Sequence, residues 1–79
     1  MVTIQEFNYL ADSEKIEVMS NAVFLGDRLT DTHYVMLYNY NNFYVEVYFD
    51  DRTHVISCFK AFYNPEFVLP YIKDLKIAI

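Results

Sequence analysis

The stretch "NNFYVEVYFDDRTHV", residues 41–55, decides the fold. Phe43, Val45, Val47 and Phe49 alternate with Tyr44, Glu46, Tyr48 and Asp50. A period of two is the signature of a β-strand, whose successive side chains point to opposite faces. The first set is plainly apolar. The second carries two tyrosines, so neither side reads as fully solvated. Polar breaks flank the run, "NN" before it and "DRT" after it, and each suits a hairpin connection. Asn tolerates positive φ, so Asn41-Asn42 is expected to form a type I′ turn.

Working outward, similar runs predict a four-stranded antiparallel meander. Strand one covers Val23–Leu29, strand two His33–Tyr40, strand three Phe43–Asp50, and strand four residues 54–62. With a two-residue loop at Asn41-Asn42, Tyr40 lies opposite Phe43, and Tyr38, Met36 and Tyr34 lie opposite Val45, Val47 and Phe49. A three-residue loop at Asp51, Arg52 and Thr53 sets Asp50 against His54. That places Val55, Ser57, Phe59 and Ala61 on the same inner face, with Leu25 and Leu29 from strand one. A slip of one residue would reverse the whole strand and bury Lys60 instead. Asp27 would also fall inside, unless a bulge at Gly26 turns it outward.

The other, outer face then holds Phe24, Arg28, His33, Val35, Leu37 and Asn39. It also holds Tyr44, Glu46, Tyr48, Asp50, His54, Ile56, Cys58 and Lys60. Val35, Leu37, Tyr48, Ile56 and Cys58 form an apolar centre rimmed by charge. This is more apolar than a solvated face requires. With Tyr44 and Glu46 they are the candidate binding residues, for a protein partner or for a second copy of the chain in a homodimer.

The inner face needs a cover, and the N-terminus supplies amphipathic helices. In "VTIQEF" Thr3 is an N-cap with Glu6 three residues on, a capping box, and Val2 and Phe7 occupy the staple positions. Ile4, Phe7, Leu10 and Ala11 keep helical spacing. Asp12 or Ser13 caps a second helix that runs to about Ser20, with Ile16, Met19 and Val23 as its inner side. Beyond the sheet, Asn64 and Pro65 begin a turn. Pro70 breaks any long helix there and starts a short one over residues 70–75. This segment packs on the rim of the helical layer or crosses the outer face.

Seventy-nine residues make one domain, residues 1–79. A domain of this size buries only about 60% of its unfolded surface, so every apolar face counts. The aromatic share is 19%, all Phe and Tyr, and it fills core volume without disulfides. The net charge of −5 opposes a nucleic-acid partner, which would need clustered Lys and Arg. Cys58 is the sole cysteine, so no internal disulfide forms, and a reducing cytoplasm is the expected compartment. The N-terminal residues lack the basic and apolar blocks of a signal peptide. No apolar run approaches the ~20 residues of a membrane span.

The string "VFLGDR...VMLYNYNNFYVEVYF...VISCFKAF...LPYIKDL" resembles a group of small uncharacterised bacterial proteins, mostly from Bacteroidetes. They share a "FYVEVY" strand and a late "PY" helix. The resemblance spans nearly the whole chain, and it implies no activity, cofactor or site residue.

Four constellations bear on chemistry. His33, Asp50 and His54 come side by side in the expected register, a set able to hold a metal or move a proton. Two surface histidines beside an acidic turn are the plainer explanation. Cys58 lies opposite Glu46, whose charge would raise a thiol pKa, so a small apolar filler fits better than a nucleophile. Tyr38, Tyr40, Tyr44 and Tyr48 resemble a base-stacking platform, but Glu46 and Asp50 stand beside them. Asp50-Asp51 reads as a solvated turn before it reads as a cation site.

The expectation is therefore an α+β domain in two layers: N-terminal helices on a four-stranded antiparallel meander, with a short C-terminal helix. Its expected role is a non-enzymatic interaction domain (adaptor, inhibitor or immunity-like) without a cofactor. The alternative is a small-molecule or metal-binding domain built on His33, Asp50 and His54. An acidic nucleic-acid mimic is a weaker third reading.

Overall fold

A computed structural model describes residues 1–69 and 71. The chain is α+β. Two short helices, α1 (Ile4–Tyr9) and α2 (Asp12–Met19), precede strands β1 (Val23–Leu29), β2 (His33–Tyr40), β3 (Phe43–Asp50) and β4 (Ile56–Phe62). The strands form one antiparallel sheet in the order β1-β2-β3-β4. A 3-10 turn, Pro65–Val68, follows, with the Asn64 side chain accepting from the Glu66 N–H. The expected helix over residues 70–75 lies, apart from Tyr71, outside the described residues.

Local chemistry sets the N-terminal elements. Thr3 Oγ1 accepts from the Glu6 N–H at 3.1 Å, and the Glu6 carboxylate accepts from the Thr3 N–H at 2.9 Å. This is the expected capping box, and it holds the Glu6 carboxyl below the usual range through the Thr3 backbone hydrogen bond. The second helix is capped at Ala11, ahead of the expected Asp12 or Ser13. Glu14 reaches back to the Ala11 N–H at 2.9 Å, so half a capping box suffices without a cap side chain.

The β2–β3 hairpin keeps the expected register, from Tyr40 against Phe43 to His33 against Asp50. Its turn is not type I′, since only Asn41 takes positive φ (53°), and Asn42 does not. On one face Phe7 inserts between Phe43 and Phe59, with ring centroids 6.0 and 6.1 Å away. Ile4, Phe7, Tyr40, Phe43, Val45 and Val47 form the buried cluster there, joined by Val18 and Met19 of α2. The Tyr40 hydroxyl accepts from the Val2 N–H at 3.1 Å and ties the terminus down.

Two bulges correct the expected faces. In β4, Tyr48 pairs with Cys58 but Phe49 pairs with Ile56, which leaves Ser57 as the extra residue. Ile56 therefore joins the helix-side cluster and not the outer face. Ser57, expected inside, meets His33 at 3.4 Å on the outer face. Val55, also expected inside, precedes the strand and is 63% exposed. The cause is the turn. The Asp50 carboxylate accepts from the Arg52 and Thr53 N–H groups, and His54 adopts a left-handed φ of 61°. The strand then begins at Ile56, two residues later than expected.

In β1, Phe24 pairs with Tyr38 and Gly26 with Leu37, so the extra residue is Leu25. Phe24 thus sits on the helix-side face, against the Tyr38 ring at 5.6 Å. Asp27 stays on that face too, where it accepts a short hydrogen bond from the Tyr34 hydroxyl. The bulge was expected to turn it outward, but by falling one residue earlier it moves Phe24 and leaves Asp27 inside.

Candidate functional site

The outer face is closed by the chain itself. Val35 and Leu37 are fully buried with Tyr71, and Tyr44, Tyr48, Phe62 and Val68 pack around them. Val68 and Tyr71 thus lie over the centre of the sheet. Val35 and Leu37, expected as exposed binding residues, are core. Tyr44, Tyr48 and Cys58 keep partial exposure, and Ile56 belongs to the other face.

Glu46 is the correction with the most chemistry. Expected among the exposed binding residues of the outer face, it is only 7% exposed. A charge so placed requires partners, and it has three. Arg28 Nη2 donates to Oε2 at 3.2 Å, the Tyr71 hydroxyl donates to Oε2 at 2.5 Å, and the Tyr48 hydroxyl donates to Oε1 at 3.2 Å. The Arg28 guanidinium also stacks over the Tyr71 ring at 5.4 Å, and Lys60 stands over the Tyr48 ring at 4.8 Å. Burial, followed by the hydrogen bond to Glu46, pushes the Tyr71 phenol well above the usual tyrosine range. Burial and the Glu46 charge raise Tyr48 in the same direction. Arg28 Nε is buried without a hydrogen-bond partner among the described residues. An open hollow of about 650 Å³ beside Arg28, Glu46, Tyr48 and Lys60 wraps the β4 edge as far as Asn8. Its central carboxylate is already fully engaged, so the group works as a polar lock.

Arg28 and Tyr71 are absent from the sequence-based site. A signal for Arg28 existed: a lone Glu between Val45 and Val47 needs a cation, and Arg28 lies on the same outer face. Tyr71 left no such signal, because no periodic pattern links it to β3.

The His33, Asp50 and His54 set does not assemble. His33 faces outward, with Nδ1 2.7 Å from Thr32 Oγ1 and its ring edge-on to Tyr48. His54 sits in the turn and lines a hollow on the helix side. Asp50 lies opposite His33, but its carboxylate is taken up by the turn N–H groups, first Thr53 and then Arg52, which hold its pKa below the ordinary value. No group of three or more metal-ligating residues occurs among the described residues.

The helix-side face behaves differently. It is closed over Phe43, Val45 and Val47 of β3 and open over Phe24 and Leu29 of β1. Phe43 and Val45 are fully buried, whereas Phe24 is 49% and Leu29 72% exposed. Leu29, Tyr34, Phe49, Asp51 and His54 line an open hollow of about 430 Å³. It meets a smaller one of about 170 Å³ at Phe49, which continues past Ile56 to Ile16 and Met19 of α2. Sharing Phe49, the two hollows line up as an apolar trough from Ile16 and Met19 of α2 to Leu29 of the edge strand β1. Among the described residues no helix is long and apolar enough to cross a membrane. Neither a protein-family model, nor a curated protein, nor a solved structure matches this chain.

Proposed function

We propose that the chain is a non-enzymatic protein-interaction domain of adaptor, inhibitor or immunity-like kind, working in a reducing cytoplasm. In this reading it is built in two layers, with the N-terminal helices on one sheet face. The interaction surface is the β1 side of that face. One observation carries the reading: residues that alternate as core in β1 and β2 reach a layer that stops short of them. Phe24 and Leu29 stay 49% and 72% exposed, while Val45, in line with Phe24 across the sheet, is sealed and Phe49, in line with Leu29, is only partly buried. Contiguous apolar surface of this kind on a small domain marks an interaction site. The outer face is less suited, since Tyr71 already occupies its centre.

Affinity capture from the source organism tests this, with wild-type protein and Leu29→Asp immobilised in parallel. A partner held by the wild type and lost by the variant, at unchanged melting temperature, is the expected result. Identical capture by both columns would remove the surface from consideration.

A further inference from the structure

Resting on the interaction reading above, we propose that the trough takes one helix of a partner protein, apolar on the docking side and flanked by Lys or Arg.

Geometry sets the shape of the occupant. Neighbouring strands lie about 4.8 Å apart, so β1 and β4 are separated by about 14 Å. A helix with side chains is about 10 Å across, so a four-stranded sheet needs two helices abreast to be covered. Here Phe7 of α1 sits over Phe43 and Phe59, and Lys15 of α2 reaches over the Phe7 and Phe59 rings, which sets both helices toward the β3–β4 side. Among the described residues no helix covers Phe24 and Leu29 of β1, which leaves room there for one more. Seven residues of β1 span about 23 Å, the length of about fifteen helical residues.

An added strand fits less well. The free edge of β1 is interrupted by the bulge at Leu25, and Asp27 and Arg28 follow it. Bulges and charges of this kind guard an edge against strand pairing. The face, by contrast, offers Phe24, Leu29, Tyr34 and Phe49 to an apolar helix stripe.

Charge sets the chemistry of the rim. Asp51 lines the hollow, and Asp27, exposed on this face, is bonded to Tyr34 inside it. Among the described residues no Lys or Arg lines the hollow, and its other titratable groups are Tyr34 and His54. Lys15 is drawn away over the Phe7 and Phe59 rings, while Arg28 and Lys60 belong to the outer face. The whole chain carries a net charge of −5. A cationic flank on the partner complements this rim, and an acidic one opposes it.

The test uses two synthetic fifteen-residue amphipathic peptides with the same leucine stripe, one with Lys and one with Glu at the polar positions. Each is titrated into the full chain and followed by amide NMR shifts. The Lys peptide is expected to move Phe24, Leu29, Tyr34 and Phe49, and to bind at least about tenfold more tightly than the Glu peptide at low salt. Asp27→Asn combined with Asp51→Asn should narrow that difference, and Leu29→Ser should weaken both peptides. Equal binding of both peptides in the trough would overturn the cationic partner while leaving the surface standing. Lys-peptide shifts confined to Glu14 and Glu17 would overturn the docking site itself. A chain that sediments as a dimer, and as a monomer once Leu29 is changed to Asp, would make the occupant a second copy and overturn the heterologous helix.

Discussion

The two faces of this sheet start from similar material and end differently. Each strand offers apolar side chains to both sides. Among the described residues, the centre of the outer face is sealed by Tyr71, which packs on Val35 and Leu37 together with Val68 and bonds the buried Glu46. The helix-side face has two helices of six and eight residues, and the cluster they build runs from Tyr40 of β2 across β3 to Phe59 of β4 without including Phe24 or Leu29 of β1. A short chain explains the difference. Small domains bury a limited share of their surface, and two apolar faces on one sheet demand more cover than the described helices provide. The unmet demand lies at β1, the edge strand, where few residues are lost to the core.

The largest break of this comparison comes from a charge placed on each face. Leu37→Glu puts an unpaired carboxylate beneath Tyr71 and beside Glu46, and should cost about 3–5 kcal/mol, read from urea denaturation. A loss below about 1 kcal/mol would mean that the outer face is open and that Tyr71 does not cover it.

Tyr71→Phe keeps the ring over Arg28 but removes the hydroxyl donated to Glu46. A loss of about 1–3 kcal/mol is expected, since the carboxylate loses a buried donor. No measurable change would show that Arg28 and Tyr48 satisfy Glu46 alone.

The pH profile sharpens the same contrast. Tyr71 and Tyr48 have phenol pKa values raised above the ordinary value of about 10. Their contribution is complete below that value. It is lost as pH rises, because the unfolded chain ionises first. The alkaline fall in melting temperature should therefore begin near pH 10 and be shallower in Tyr71→Phe. On the acid side Asp50 and Glu6 have lowered pKa values, so their contribution holds above about pH 4 and fades below it. Asp50→Asn should flatten the acid limb, and an unchanged limb would separate the turn hydrogen bonds from stability.

The smallest effect belongs to Leu29→Glu. On the open face it should shift stability by no more than about 0.5 kcal/mol, as exposed substitutions do. A loss like that of Leu37→Glu would show Leu29 to be covered and would remove the trough as a docking surface.

Much of this was legible one residue at a time. The capping box at Thr3 and Glu6 depends on groups three residues apart, and it formed as expected. The β2–β3 pairing depends on a two-residue loop, and its register held over eight pairs. The β3–β4 pairing depends on a turn whose conformation no alternation encodes. There the Asp50 carboxylate and the left-handed His54 shifted the strand start and added Ser57. The expected histidine cluster failed for that reason, since it required His54 to be a strand residue opposite Asp50.

Alternation, hairpin loops and caps alone determined the order of the elements, the antiparallel meander and the helix-side core from Val45 to Phe59. These signals are local, and a period of two says which residues share a face. It does not say what lies against that face. Only the tertiary structure decided that Tyr71 closes the outer face, that Glu46 is buried with Arg28, and that the helices leave β1 bare. Those outcomes depend on contacts between segments far apart in the chain, 25 residues in the case of Glu46 and Tyr71. Which distant segment wins each apolar face is settled by the length and reach of the competing elements, a quantity that no single strand's pattern contains.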